Sequence, residues 1–276
     1  MLGTFILWFC WYGFNTGSAL FISNEERSRV TALTAINTTL AAASGALASL
    51  ILNFILTDRA TGEGEYSTVR CMNGALGGLV SITGGCATIE PWAAIITGSI
   101  AGCLYVIFSN FLVRKCIDDA VDAIPVHMVN GIWGLISVGL FTTPKNLQQA
   151  YGFSKHAGLF YSWNDATLLA CQLCGILFIV GWISVIFFPF FLLLNYLGVF
   201  RSDSLTEVVG LDLNYHVKRG EILSDTSDEI KPEHLEAFRK RQNNMTRGKM
   251  KLSSNNSENG ESLFGEEGVD NVVSAS

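Results

Sequence analysis

Trp11, Phe14 and Ser18, in the stretch WYGFNTGSAL, and His127, in DDAVDAIPVHMVNGIWGLISVGLF, carry chemistry inside otherwise apolar sequence. The first three stand at i, i+3 and i+7, so on a helix they share one face. Two rings and a hydroxyl on one face suit the mouth of a pore for a small cation. Aromatic faces attract a cation by about 0.5–2 kcal/mol as water is removed, and the hydroxyl accepts a hydrogen bond from an N–H donor. The same pattern also fits an interfacial aromatic belt with small packing residues, and the residues alone leave both readings open. An ionisable residue inside a span is costly and points to function. A neutral imidazole both donates and accepts hydrogen bonds. Burial lowers its pKa and keeps it neutral, which suits a small polar molecule better than a permanent cation. A histidine bonded to a neighbouring helix for packing is the alternative, and it too stays open.

Asp118, Asp119 and Asp122 precede His127. At a helix N-terminus carboxylates complement the macrodipole and cap free N–H groups, so Asp119 and Asp122 are expected to have a structural, helix-start role. Pro125 falls early in the same run, where it kinks a helix or sits in its first turns. Glu90–Pro91–Trp92 predicts a tight turn at the membrane surface with Glu90 exposed.

These residues need elements to position them. The chain has 276 residues, a net charge of −6 and only 15% charged residues, against about 25% in ordinary soluble domains, and its mean hydropathy is positive. Residues 1–200 hold 8 Lys and Arg and 10 Asp and Glu, and the much shorter segment 201–276 holds 10 and 14, so an apolar body gives way to a charged tail near position 200. The body contains six apolar runs, about 2–20, 31–56, 71–89, 92–113, 122–141 and 166–199, most of them near the roughly 20 residues a helix needs to cross a bilayer. In lipid each backbone polar group must be satisfied within its own segment, so the runs predict helices. The fold class expected is an all-α membrane protein.

The runs are rich in small residues, as in AINTTLAAASGALASL and NGALGGLVSITGG, and Gly74 with Gly78 and Gly98 with Gly102 mark small-xxx-small faces for close helix packing. The first run lacks a basic leader and exceeds a usual signal-peptide core, so it is read as a span. The seven cysteines all lie in or beside runs and behave there as small apolar residues. The short links carry equal numbers of Lys and Arg on the two sides, and the basic residues of the tail favour a cytoplasmic C-terminus. No cofactor, metal, nucleic-acid partner or enzymatic activity is expected.

LWFCWYGFNTGSAL, followed by AINTTLAAASGAL, NGALGGLVSITGGCATIEPWAAIITGSIAG, DDAVDAIPVHMVNGIWG and then GLDLNYH at 210–216, resembles the second half of an ammonium transporter of the Amt family, eukaryotic type. The resemblance covers nearly all of residues 1–217. It implies an ammonium-transporter-like helical bundle of eleven spans, built as two inverted repeats and a last long helix. It also implies a homotrimer in the plasma membrane with one pore per subunit. The match begins at the family's sixth span, so about six spans of eleven are expected here, with the chain a fragment, a truncated gene model or a degenerate member.

By the same resemblance, Phe14 corresponds to one ring of the stacked gate at the outer mouth and Ser18 to the hydroxyl that recruits ammonium. Trp11 corresponds to a pore-side aromatic, and His127 to the second of two histidines lining an apolar pore. Their partner residues belong to the half not matched. The implied activity is transport of ammonium and ammonia: the cation is recruited at the aromatic mouth, deprotonated, and passed as ammonia along the imidazoles. Gly210, Asp212 and Asn214 fall in the tail motif that contacts the neighbouring subunit. Plant members carry a phosphorylated Thr in this motif where Asn214 stands here; Ser224, Thr226 and Ser227 are alternative sites. Residues 231–242 predict a short amphipathic helix, and the tail after about 220 otherwise has the composition of disorder. The rival readings are an ammonium sensor that signals through its tail, a fragment without transport activity, and a related Rh-type gas channel.

Overall fold

The structure, a computed structural model, describes residues 1–20 and 22–201. Gly210, Asp212, Asn214 and the helix expected at 231–242 lie outside the described residues. The described elements are helices: α1 (Leu2–Gly17), α2 (Glu25–Thr61), α3 (Thr68–Thr83), α4 (Pro91–Arg114), a π-turn (Ile124–Val129) running into α5 (Asn130–Phe141), α6 (Pro144–Tyr151) and α7 (Thr167–Tyr196). Met1–Phe190 forms one compact unit. In the described part of the second, Phe191 and Phe200 pack ring to ring at 5.5 Å.

Helix ends fall where local chemistry supplies partners. Asn24 accepts the Arg27 N–H through its side chain at the start of α2, and Gly62, at φ +80°, ends it in the left-handed conformation. Pro91 opens α4, where its missing N–H costs nothing. Glu90 caps that helix through its backbone carbonyl, which accepts from Ala93 and Ala94 at 3.0 and 3.1 Å. The Glu90 residue is half-buried rather than exposed as its turn position predicted.

α2 is the axis of the bundle, with α3 and α4 packed along it and α1 on its first half. The small-residue faces make that packing close. A Cβ on Gly45 would stand 2.5 Å from the Gly74 carbonyl oxygen, and a Cβ on Gly98 or Gly102 would collide with the backbone of Ala41 or Gly45. At these contacts the backbones touch directly, as expected for helices that associate in lipid through van der Waals packing.

Each of the six expected runs contains a helix, but only four are long and apolar enough to cross a membrane unaided: Arg27–Thr61, Pro91–Arg114, Ile124–Phe141 and Thr167–Tyr196. α1 and α3 have 16 residues each, roughly 24 Å of helix. The run expected at 71–89 stops being helical at Thr83. Residues 84–89 continue as irregular backbone, buried at Gly85, Cys86, Thr88 and Ile89, and Asn37 of α2 donates its side-chain amide to the carbonyls of Cys86 and Ile89, both at 2.9 Å. Non-helical backbone at membrane depth is tolerated where protein satisfies it in this way.

The link after α5 holds an element the apolar runs did not predict. Thr143 caps α6, Pro144 opens it and Gly152, at φ +82°, closes it. Arg27 reaches across to the Ala150 carbonyl at 2.6 Å and ties the start of α2 to the end of α6. α7 has no buried residue along its 30 residues.

Candidate functional site

The face of α1 is set by polar ties to its neighbours. Asn15, 3% exposed, donates to Thr38 Oγ1 on α2 at 2.9 Å. One turn earlier the Tyr12 and Thr39 hydroxyls share a 2.7 Å hydrogen bond. Trp11 donates its indole N–H to Thr83 Oγ1 of α3 at 2.9 Å. These ties turn Asn15 inward and its neighbour Phe14 outward, where the ring is 62% exposed. Trp11 and Phe14 meet edge to face, with centroids 6.3 Å apart and planes at 69°, a geometry in which ring quadrupoles attract. Ser18, exposed at the C-cap of α1, donates its hydroxyl to the Phe14 carbonyl at 2.7 Å. The three residues expected on one face are therefore linked, Trp11 to Phe14 by ring contact and Phe14 to Ser18 by hydrogen bond. The spacing gave no sign that the Trp11 indole anchors to α3.

His127 stands in a different element, the π-turn that precedes α5, and its side chain is exposed. Pro125 falls in the first positions of that turn. A π-turn inside a helix is rare and concentrates at functional sites. Asp119 anchors its start: the carboxylate accepts the backbone N–H groups of Ala123 and Ile124, each at 2.8 Å.

Asp122 accepts the Val126 N–H through its backbone carbonyl at 3.0 Å, and its side chain points elsewhere. Its backbone lies in the left-handed region, at φ +56°, uncommon for a residue with a Cβ. Its carboxylate turns toward the neighbouring helices. It accepts from Ser109 Oγ at 2.7 Å, from the Tyr105 hydroxyl at 2.9 Å and from Asn73 Nδ2 at 3.3 Å. Arg70 joins the same cluster through Ser109 Oγ and Asn110 Oδ1, with its guanidinium 5.6 Å from the centre of the Tyr105 ring. The sequence showed Arg70 only as a charge in a link and Asp122 as a helix-start acid, with no sign that the two meet in one cluster. Tyr105 and Ser109 stand four apart inside the run 92–113, a spacing that puts both on the face toward Asp122.

A family model described as Ammonium Transporter Family matches residues 1–221. Ammonium transporter 1 member 2 of Arabidopsis thaliana is 37% identical over 225 residues, covering 78% of this chain and 42% of that protein. Ammonium transporter 1 member 1 of Oryza sativa subsp. japonica is 36% identical over 225 residues, with 78% and 44% covered. Among solved structures, Candida albicans Mep2 superposes with a TM-score of 0.65 at 25% identity, over 84% of this chain and 48% of that one. A structure described as a sensor Amt protein gives 0.61 at 31% identity, over 78% and 48%. The chain spans a little under half the length of these relatives.

Proposed function

The chain belongs to the ammonium transporter family, and from that premise we propose that it forms part of the wall of a transmembrane path for ammonium and ammonia. The observation that carries the reading is the outward presentation of Phe14 beside Trp11 and Ser18 on a helix pinned from behind by Asn15 and Thr38. Ammonium meets the aromatic faces and the Ser18 hydroxyl as a partly hydrated cation. Carrying it intact through an apolar bore is expensive. Loss of a proton turns it into a neutral molecule that hydrogen-bonds in turn to imidazoles such as His127, a step closed to potassium.

An apolar bore needs walls on every side. The matched part of this chain covers only 42% and 48% of two of these relatives, so the remaining wall, with the partner ring and the partner histidine, belongs to sequence homologous to their other half. A homotrimeric assembly in the plasma membrane with the tail in the cytoplasm completes the reading.

The test is methylammonium uptake in yeast stripped of its own ammonium transporters. Residues 1–276 alone are expected to give none. The chain joined to the other half of the family fold is expected to transport, and His127→Ala in that protein to lower uptake or its selectivity over potassium. Wild-type uptake and selectivity in the His127 variant would remove the imidazole from the mechanism. The likeness to a sensor Amt protein favours a second reading, ammonium sensing. Ammonium binding without uptake in the joined protein would support it.

A further inference from the structure

Asn130 opens α5 immediately after the π-turn, and its backbone N–H donates to the His127 carbonyl. Its side chain is fully buried, and neither Oδ1 nor Nδ2 has a hydrogen-bond partner in the protein. The amide lies over Gly77 of α3, so close that a Cβ there would collide with Nδ2, and the Ala101 carbonyl oxygen of α4 is 3.8 Å from that same Cβ position. Three residues on, Trp133 donates its indole N–H to the Thr97 carbonyl at 2.9 Å, so α5 runs along α4 in the register Asn130–Ala101 and Trp133–Thr97. The Thr97 hydroxyl, one turn along α4 from Ala101, is also fully buried and also unpartnered.

The Asn130 carboxamide and the Thr97 hydroxyl thus leave three polar atoms without protein partners on two helices that pack together. Bulk water does not reach them, and lipid offers no hydrogen bonds. Buried polar groups are almost always paired, and those left over by the protein are the usual partners of internal water. Asn130 offers both a donor and an acceptor, Thr97 offers both in one hydroxyl, and the Ala101 carbonyl has a second lone pair. That set meets the two to four polar partners an internal water takes.

We infer that Asn130 holds a buried water where α3, α4 and α5 cross, directly behind the turn that carries His127. The water accepts from Asn130 Nδ2 or donates to Oδ1, and it bridges to the Thr97 side of α4. Gly77 is part of the site because any side chain there would occupy the space of the amide. The inference is independent of the transport reading: it concerns the packing of this chain and needs no pore.

The test is an experimental structure of the 276-residue chain in lipid at a resolution that shows water. A density peak within about 3.2 Å of Asn130 Oδ1 or Nδ2, with a second polar partner on α4, is expected. A dry amide, or one rotated onto a protein group, overturns the proposal. Thermal unfolding of Asn130→Leu gives a second readout. Removing an amide that holds a bonded water lowers the melting temperature, whereas removing an unpaired amide leaves it unchanged or raises it, and that second outcome counts against the site. If the Leu variant does not fold, the wild-type density decides alone.

Discussion

Asn15 and Thr38 share a buried hydrogen bond of 2.9 Å that fixes the rotation of α1 against α2. Because Asn15 faces α2, Phe14 faces away from it. Asn15→Leu removes the tie while leaving the Thr38 hydroxyl bonded to the Thr34 carbonyl. The expected loss is about 0.6–2 kcal/mol, the range for interhelical hydrogen bonds in membranes, read by unfolding in mild detergent. Wild-type stability in the variant would mean that apolar packing alone sets the face of α1.

The glycines of the bundle divide sharply. Gly98 and Gly102 have the α2 backbone where a Cβ would go, whereas Gly13 and Gly131 have nothing within 4 Å. Gly98→Ala and Gly102→Ala should each separate α4 from α2 and lose at least the roughly 1–3 kcal/mol typical of overpacking. Gly13→Ala and Gly131→Ala should be neutral or slightly stabilising through helix propensity. Yield of monodisperse protein and its melting temperature measure both. Equal behaviour of the two pairs would contradict the close approach.

At Asp122 two effects oppose each other. Asp122→Ala loses an acceptor shared by Ser109, Tyr105 and Asn73, and leaving buried donors unpaired costs about 1–3 kcal/mol. It also keeps a Cβ at φ +56°. Asp122→Gly loses the same acceptor but relieves the backbone, so it should be the milder variant by roughly 1 kcal/mol. Melting curves of the two, side by side, test this. Identical losses would show that the left-handed backbone carries no strain.

Asp165 predicts an acid-sensitive loop. Its carboxylate accepts from the Thr167 backbone at 3.0 Å and meets His156 Nδ1 at 2.7 Å. Hydrogen bonds from Thr167, with a smaller contribution from His156, lower its pKa to about 2, below the unfolded value of about 3.9. A depressed carboxylate stabilises fully above the unfolded value and loses that contribution as pH falls through the folded one. Amide protection around Thr167, corrected for intrinsic exchange, should therefore hold from pH 7 down to about 4 and fade toward 2. Asp165→Asn should show weaker protection already at neutral pH and little further change. A wild-type profile that fades between pH 7 and 5 would assign the clamp to another group.

The helices were legible because long apolar runs in lipid have no other way to satisfy their backbone. The start of α4 was legible at Pro91; the ends of α2 at Asn24 and Gly62 lie outside the apolar run 31–56, because the polar first and last turns of α2 carry no hydropathy signal. The stop of α3 at Thr83 was not legible, because Gly84 and Gly85 look like the packing glycines before them. The stretch that follows is held by Asn37, from a helix about fifty positions upstream. α6 had a start signal in Thr143–Pro144 and a stop in Gly152, but it is polar and lay in a link. Trp11 and Asp122 were visible as residues with chemistry. Their partners, Thr83 for one and Ser109 and Tyr105 for the other, follow from how helices are rotated against each other, which a single sequence does not write down.

The uncharged stretch of α2, residues 30–57, covers 28 residues, or about 42 Å of helix. The hydrocarbon core of a typical bilayer is about 30 Å thick. α3, packed along α2, offers roughly 24 Å. The mismatch has opposite signs for the two helices, so neither a thicker nor a thinner membrane suits both. Leaning shortens the reach of α2 across the membrane but also that of α3. The ends of α2 therefore reach the headgroup layers, whereas α3 stops short and the chain goes on from it as the Asn37-held backbone of 84–89.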